Sequence, residues 1–523
     1  MTFCKSFRGV VRWTAVAILA VCLVQAGRSF VDRLRYGSEM ELDRCFREAA
    51  RCVPSGRVGL LCKDAGCLTP VERSLAIAVN WEIAPRAVES VELGRMDTSP
   101  PVVLVSSNVG QSVQTALREL GLRPGFANEL ATVWSVGGTL SSPVSVERTG
   151  RVREGLSVLV VMVLFGWMVC RLSGVRLVGR GRLWLAGAIF ILLSVCVLSH
   201  GLLPPNGLGV QAGKAKLLLS AGGCPSDYWT GPSYAVYQPS YPPGLTCLAW
   251  LVFVLAGGCG DWLVQLLSPW AMTLLFLLLT DGHCSLRRLF VAASFVLCPI
   301  AQKLTSGFYA EPFALLCLAA GIRRVRSVGG SSGWLLVGCA GLFRHEGLML
   351  AAALWLAERI SRGAGETDGR DLFAVLLPGV VWQVLVRCWG AGLCDYDFQS
   401  LPDVSRMAAA GRAAVHVSCL RFWELGGAGL FVLLHADRCR PHARSVLRGV
   451  ALGAAFVLGL VLLGFNTAPH VDWLIGTLVP RYVWLCLGLC FSAPLRGQGC
   501  FEAQMSAFCY NTQQLCWNSS KRR

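Results

Sequence analysis

The sequence predicts an all-α polytopic membrane protein of roughly 10–12 transmembrane helices, with a small external α/β insert after the first span. Its 523 residues are 54% hydrophobic and only 15% charged, whereas soluble domains are about a quarter charged. Because a bilayer offers no water to backbone amides, apolar runs that cross it must be helical. Here such runs recur along most of the chain, each about as long as a helix that crosses ~30 Å of hydrocarbon. The clearest examples lie at 156–170, 183–203, 262–280, 372–386 and 450–465.

The net charge of +17 comes largely from basic residues in the short spacers between apolar runs. This is the positive-inside pattern of membrane proteins, so we place these spacers in the cytoplasm and expect no nucleic-acid partner. The basic groups lie at 5–12, before the first span, and then at 171–182, 323–326, 438–448 and 521–523.

The apolar runs and basic spacers divide the chain into four parts. The first is an N-terminal transmembrane anchor, for which a secretory signal is the alternative because its start is basic. The second is an external soluble α/β domain, and the third is a transmembrane domain with three external loops. The fourth is a cytoplasmic tail. Their bounds are 1–27, 28–152, 153–497 (with loops 204–243, 389–419 and 466–481) and 498–523.

The external domain is expected to contain short strands at 58–61 and 102–105, and a helix at 113–120 that stops at Gly121. It has no phosphate loop, nucleophile elbow or metal-ligand cluster, which favours an accessory or partner-binding role. Four cysteines in its polar start could form two disulfides, and a zinc site is the less favoured alternative because the spacing is not that of CxxC pairs. These residues are Cys45, Cys52, Cys62 and Cys67.

The loop 204–243 should contain a short amphipathic helix at 210–220, lying along the membrane surface and carrying two lysines. Arg287 and Arg288 favour the cytoplasm, which leaves the number of crossings within 244–302 open. After this loop we expect spans near 244–257, 262–280, 286–301, 312–322, 333–358 (broken), 372–388, 420–435, 446–465 and 482–496.

Four segments of the chain resemble bacterial GT-C glycosyltransferases of the protein-mannosyltransferase-like type. They follow the family order and cover about 200–490, whereas 1–180 have no counterpart. The first joins the lysine-bearing helix to a Tyr-Pro-Pro start of the next span. The others resemble the Tyr-Ala-acidic element, the basic-polar-Glu-Gly turn and the late external loop that ends in Arg. They read GKAKLLLSAGGCPSDYW with SYPPGLTCLAW, then GFYAEPFALL, FRHEGLML and VDWLIGTLVPRYVW.

The resemblance implies transfer of a sugar, with inversion, from a polyprenyl-phosphate donor to an external glycan, lipid or protein acceptor. Such an enzyme would sit among lipids in the bacterial inner (plasma) membrane with its site facing the periplasm. The leaving lipid phosphate needs cationic partners, and the acceptor hydroxyl needs a general base, typically a carboxylate. The cofactor stays unassigned, because some members use a divalent cation and many do not.

The general base is the open question in this comparison. Asn206 stands where the family has an acidic residue, and an amide is no base near neutral pH. Either another carboxylate substitutes, the correspondence is shifted, or the protein is catalytically inactive. Asp227 is the only carboxylate in the 204–243 loop and is the obvious substitute, with a turn residue as its alternative role. Glu311, at the outer edge of a span, is a second candidate, with a helix-terminal charge as its alternative.

The other matching residues are assigned to substrate binding. Lys214, Lys216 and Arg481 could contact the donor phosphate, although lysines on interfacial helices also bind anionic lipids and Arg481 could be an interfacial anchor. Arg344 and Glu346 lie between apolar stretches and could form a structural pair or bind substrate. The remaining substrate-binding candidates are Tyr309, Asp472 and Trp473.

Two other functions remain open. One is a transporter or flippase of lipid-linked sugars, which needs a cavity through the whole membrane. The other is a catalytically degenerate membrane-bound subunit, which Asn206 favours.

Overall fold

The structure of the full chain is a computed structural model. The structure describes five short strands and the helix that joins two of them, a bundle of helices and a short helical stretch at 480–486. The described residues are 58–61, 88–91, 102–106, 111–127, 131–136, 151–175, 180–199, 208–220, 222–224, 228–229, 239–258, 263–281, 286–328, 330–362, 369–390, 480–486 and 488–489.

A five-stranded mixed sheet precedes the apolar helices. Its strands are β1 (Val58–Leu61), β2 (Val88–Val91), β3 (Val102–Ser106), β4 (Leu122–Ala127) and β5 (Ala131–Val136), and α1 (Gln111–Glu119) joins β3 to β4. The spatial order is β2-β1-β3-β5-β4, with β1 parallel to β2 and β3 and the other pairs antiparallel. The expected strands at 58–61 and 102–105 and the helix before Gly121 are therefore confirmed.

The bundle contains eleven described α-helices, each formed by a run whose composition is mainly apolar. They are α2 (Arg151–Ser173), α3 (Arg180–Ser199), α4 (Gly213–Ser220), α5 (Gly244–Ala256), α6 (Leu267–Thr280), α7 (Leu286–Leu297), α8 (Pro299–Ser306), α9 (Glu311–Ser327), α10 (Ser331–Gly338), α11 (His345–Arg362) and α12 (Gly369–Cys388). A π-helical turn, Leu208–Ala212, leads into α4, and 3-10 turns lie at Leu263–Leu266 and Cys339–Leu342. The chain is helical again at 480–486.

Four helical stretches among the described residues are long and apolar enough to cross a membrane. They are Val152–Ser173, Gly181–Leu198, Leu263–Thr280 and Gly369–Cys388. The pair α8–α9, bent by 111° at its break, makes a fifth if it counts as one span. Large apolar side chains on the outside of the bundle, such as Trp167 and Trp184, are 67% and 80% exposed, as expected for a lipid-facing surface. The chain is thus built like an α-helical membrane protein.

Several expected spans differ from the observed helices. The run at 286–301 is two helices, because Pro299 cannot continue the helix before it. The expected break within 333–358 is confirmed, and it falls between the 3-10 turn and α11. The first span and those at 420–435 and 446–465 lie outside the described residues, as do the four cysteines of the external domain.

The prediction that the helix at 210–220 lies along the membrane surface was wrong. A helix is present there, but Val210 and Leu217 are almost fully buried, and so are both lysines between them. The segment packs against α5 and against Tyr228. The pattern of apolar and charged residues cannot distinguish a helix that lies on a membrane from one that packs inside a bundle, because both need an apolar face.

A buried ionic contact ties together the ends of four helices. Asp281, just after α6, pairs with Arg182 of α3 at 3.0 Å and also with Arg323 of α9. Arg323 donates a further hydrogen bond to the backbone carbonyl of Ser173 in α2. At the other end of the bundle, Glu154 of α2 accepts hydrogen bonds from the backbone N–H groups of Leu263 and Val264.

These two contacts fix the directions of the helices. Helices α2, α6 and α9 all run towards the Asp281 contact, and α3 starts from it. Helix α5 has only 13 residues, starts beside Phe343 and leads by a short connection to Leu263, at the Glu154 end. Helix α5 is too short to cross alone, whereas Leu263–Thr280 is long enough, and Arg287 and Arg288 follow Asp281 in the chain.

Replacing Asp281 with Asn should destabilise the protein, because it leaves Arg182 and Arg323 buried without their shared carboxylate. We expect a loss of about 3–5 kcal/mol, read as a lower unfolding temperature in lipid nanodiscs. The control, Asp371→Asn, affects a half-buried carboxylate that accepts from the Ser331 hydroxyl and should cost at most about 1.5 kcal/mol. Equal unfolding temperatures for the two variants would contradict a role for Asp281 in joining the helices.

Candidate functional site

Five buried side chains from three segments meet in what we call the charged cluster. It consists of Glu311, Arg344, Glu346, Arg481 and Tyr482, and each is at most 8% exposed. Glu311 is the first residue of α9, Arg344 directly precedes α11, Glu346 lies in the first turn of α11, and the last two lie in the helix at 480–486.

The cluster is held by ion pairs and hydrogen bonds. Arg481 Nε lies 2.8 Å from Glu311 Oε1, and Arg344 Nη1 lies 3.6 Å from the same oxygen. Arg344 Nε lies 3.1 Å from Glu346 Oε2, and Arg344 Nη2 donates to Glu346 Oε1 and to the Tyr482 hydroxyl at 3.2 Å each. The Tyr482 hydroxyl in turn donates to Glu346 Oε1. The expected Arg344–Glu346 pair is present as part of this larger network.

Two tyrosines frame the arginines. The guanidinium of Arg481 lies 4.1 Å from the centre of the Tyr309 ring, and that of Arg344 lies 5.2 Å from the centre of the Tyr241 ring. Lys214 Nζ lies 5.7 Å from the same Tyr241 ring and donates to the Tyr241 carbonyl at 3.5 Å. Cations are attracted to aromatic faces, so Tyr241 brings Lys214 to the edge of the charged cluster.

A tight turn between α8 and α9 sets the positions of Tyr309 and Glu311. Phe308 has a φ of 52°, a backbone conformation that is uncommon for a bulky residue. A Cβ on Gly307 would lie 2.2 Å from the Tyr309 ring, so only glycine fits there. The turn lets α9 start at the cluster with Pro312 in its first turn, where a missing N–H does no harm.

The cluster lies well inside the length of the bundle. From Arg323, beside the Asp281 contact, α9 rises about 18 Å to Glu311, whereas α2 rises about 28 Å from Ser173 to Glu154. For parallel helices, these lengths place the charged cluster about 10 Å short of the Glu154 end of the bundle.

The electrostatics of this region favour an anion. The two arginines of the cluster balance its two carboxylates, and Lys214 adds a positive charge beside them. The helices α9 and α11 both start here, and helix N-termini carry partial positive charge and free N–H groups. An incoming phosphate would find cationic donors that are already in place.

The structure thus brings together six of the residues singled out by sequence: Lys214, Tyr309, Glu311, Arg344, Glu346 and Arg481. Lys216 is also buried, but two residues along a helix turn a side chain by about 200°, so it points away from the Lys214 side of α4. Asn206, Asp227, Asp472 and Trp473 lie outside the described residues.

Sequence reasoning missed Tyr241, Tyr482 and the contact of Gln383 with His345. Gln383 Nε2 of α12 lies 2.7 Å from His345 Nδ1, and the His345 ring packs edge-on against Tyr241. The only signal for these residues was adjacency: Tyr482 follows Arg481, and Tyr241 opens the Tyr-Pro-Pro element. Within the described part of the chain, no group of His, Cys, Asp and Glu is arranged to hold a metal ion.

No protein-family model matches the chain, and neither a curated protein nor a solved structure matches it.

A double-mutant cycle on Glu311→Gln and Arg481→Gln should show that the two side chains are energetically coupled. We expect an interaction free energy of about 1–3 kcal/mol from unfolding temperatures or denaturant midpoints in nanodiscs, because the residues are in direct contact. The control cycle pairs Glu311→Gln with Arg359→Gln, which lies about 22 Å further along α11 than Arg344. Additive effects in both cycles would rule out the Glu311–Arg481 contact.

Proposed function

We propose that this chain is a membrane glycosyltransferase of the GT-C type with ten to twelve spans. It would transfer a sugar, with inversion, from a polyprenyl-phosphate donor to an external acceptor, with the site facing the periplasm of a bacterial inner membrane. One observation carries the proposal. All four segments that resemble this family contribute side chains to one buried site: Lys214 and Tyr241, then Tyr309 and Glu311, then Arg344 and Glu346, then Arg481 and Tyr482.

The chemistry needs a phosphate site next to a carboxylate, and the cluster offers both. The acceptor oxygen forms a bond to the anomeric carbon while the bond from that carbon to the phosphate oxygen breaks. The acceptor proton passes to a carboxylate, and the lipid phosphate leaves with the bonding electron pair. Arg344, Arg481 and Lys214 are the cations that would stabilise the charge that grows on this phosphate.

The ion pairs also suggest how substrate binding prepares the base. In the resting site Glu311 is held by Arg481 and Arg344. A bound phosphate competes for these guanidinium groups, because it accepts bidentate hydrogen bonds from arginine as a carboxylate does. Loss of its partners makes Glu311 a better proton acceptor. Glu311 and Asp227 remain the two candidate bases, while Glu346 is tied to Arg344 and Tyr482 and serves to orient the arginine.

A second candidate function is translocation of lipid-linked sugars. The break between α8 and α9 favours it, since the pair bends by 111° and the cluster lies at that break. Transporters commonly bind substrates at discontinuous helices whose N-termini face an anionic group. The two functions differ in their products: a translocator moves the donor across the membrane unchanged, whereas a transferase releases polyprenyl phosphate.

The first test is the glycan profile of a deletion strain complemented with single variants. Loss of the general base should lower transfer about 10²–10⁴-fold, so either Glu311→Gln or Asp227→Asn should abolish a sugar that wild type restores. Asp371→Asn is the matched control, and mass spectrometry of surface glycans and glycolipids is the readout. Full restoration by both variants would exclude both carboxylates as the base. No glycan change on deletion would exclude the transferase, and transport of intact donor in proteoliposomes would then support translocation.

A second test addresses the phosphate site. Undecaprenyl phosphate should raise the unfolding temperature of the wild-type protein in nanodiscs, because a ligand that binds only the folded state stabilises it. Lys214→Gln should weaken this binding about tenfold, since one charge-assisted hydrogen bond is lost. The matched comparison is Lys216→Gln on the other side of α4, which should lose much less. Equal losses for the two lysines would contradict a specific role for Lys214.

A further inference from the structure

Three tryptophans and a tyrosine form a second aromatic group beside the charged cluster, which we call the tryptophan shelf. The indole of Trp229 stacks on that of Trp389, with ring centres 4.5 Å apart and planes at 21°. Trp382 lies 6.0 Å from Trp229 and 6.5 Å from Trp389, at steep angles to both. Tyr228 packs edge-on against Trp229 at 5.0 Å. The shelf therefore joins the 228–229 segment to the end of α12.

The shelf is held in place by the elements that also carry the charged cluster. Tyr228 is buried against Leu217 of α4, one turn from Lys214. Trp382 donates from Nε1 to the carbonyl of Ser240, the residue before Tyr241. The next residue, Gln383, contacts His345, whose neighbours in the chain are Arg344 and Glu346. The shelf is therefore adjacent to the groups that would hold the donor, because Gln383 follows Trp382 of the shelf and contacts His345 beside the charged cluster.

We propose that the tryptophan shelf binds a pyranose ring of the acceptor, which makes the acceptor a saccharide rather than a bare lipid or a peptide. This inference rests on the proposed transferase function and names the acceptor class for the same site. Trp389 is 43% exposed and Trp229 is partly exposed, so aromatic surface remains open to a ligand.

The chemistry of a sugar matches this arrangement. One face of a pyranose presents C–H bonds that pack on an aromatic ring, and its rim presents hydroxyls that need hydrogen-bond partners. The shelf supplies flat aromatic surface, and Gln383, His345 and the Ser240 region supply polar groups beside it. Binding sites of this type combine apolar walls with a few placed polar groups.

A membrane-interface belt is the main alternative for tryptophans at the end of a span. Belt residues act separately, each at its own place on the protein perimeter, whereas these three indoles pack on one another and Trp382 is fixed by a hydrogen bond. The exposed Trp184 of α3, on the outside of the bundle, is the kind of residue that a belt would use and serves as the control.

The test is protection of individual tryptophans from oxidation by N-bromosuccinimide, mapped by mass spectrometry of the full-length protein in nanodiscs. The probes are four neutral trisaccharides: maltotriose, mannotriose, galactotriose and chitotriose. We expect at least one to suppress oxidation of Trp389 in a saturable way while Trp184 oxidises unchanged. Absence of protection by all four, or equal protection of Trp184, overturns the proposal. So does suppression of Trp389 oxidation by raised protein concentration alone, which would make the shelf a contact between copies of the chain.

Variants separate this inference from the proposed function. Glu311→Gln should keep the protection of Trp389 whether or not transfer is lost, because the sugar would lie on the indoles and not on Glu311. Trp389→Ala with Trp229→Ala should lower transfer in the deletion strain by about tenfold or more, while Trp184→Ala restores it. Full restoration by the double variant would overturn the shelf alone. A deletion strain with unchanged glycans and persistent protection would overturn the transferase and leave a saccharide-binding site.

Discussion

The contact of Glu311 with Arg481 and Arg344 constrains the rest of the bundle. A fully buried carboxylate inside apolar helices is tolerated only when cations lie against it, because an unpaired charge at that depth costs far more than any local packing can offset. The cations come from the start of α11 and from the helix at 480–486, remote in sequence. Both helix starts and the turn at 307–310 are therefore fixed relative to one another. The apolar faces form the core of the bundle, and the ion pairs join helix ends that are far apart in sequence.

The same pairing offers a way for the proposed site to bind an anion. Two arginines and two carboxylates balance in the resting protein, so the cluster carries little net charge that would make its burial unfavourable. A phosphate does not need to bring new cations with it, since it can replace a carboxylate as the partner of an arginine. Lys214, held against Tyr241, then compensates for the added negative charge. A transferase and a translocator would both use such an exchange, and they differ in what happens to the sugar afterwards.

The sequence predicted the features that depend on local pattern. Long apolar runs predicted the helices that are long and apolar enough to cross a membrane, which are α2, α3, α12 and the stretch that contains α6. Short motifs around Tyr309, Arg344 and Arg481 pointed to residues that do meet. It did not predict which side of α4 is buried, because a lysine on a bundle helix and one on a surface helix have the same spacing. Nor could the sequence show that α5 has only 13 residues, too few to cross a membrane alone, since hydropathy does not locate the end of a helix within an apolar run. Tyr241, Tyr482 and Gln383 were missed for the same reason: their partners are tens to more than a hundred residues away.

The tyrosines beside the arginines and the tryptophan shelf lie at different depths in the bundle. This difference bears on how a lipid-linked donor and a hydrophilic acceptor could share one site. The tyrosines that face the arginines lie inside the bundle, about 10 Å short of its Glu154 end. The tryptophan shelf lies further along α12, where the helix ends and Trp389 is exposed. A lipid-linked donor must leave its hydrocarbon in the bilayer, which suits a phosphate site set below the end of the bundle. A hydrophilic acceptor is better served by an exposed aromatic surface above it. The contact of Gln383 with His345 lies between the charged cluster and the tryptophan shelf. A sugar bound at one of these sites would therefore be a short distance from the other.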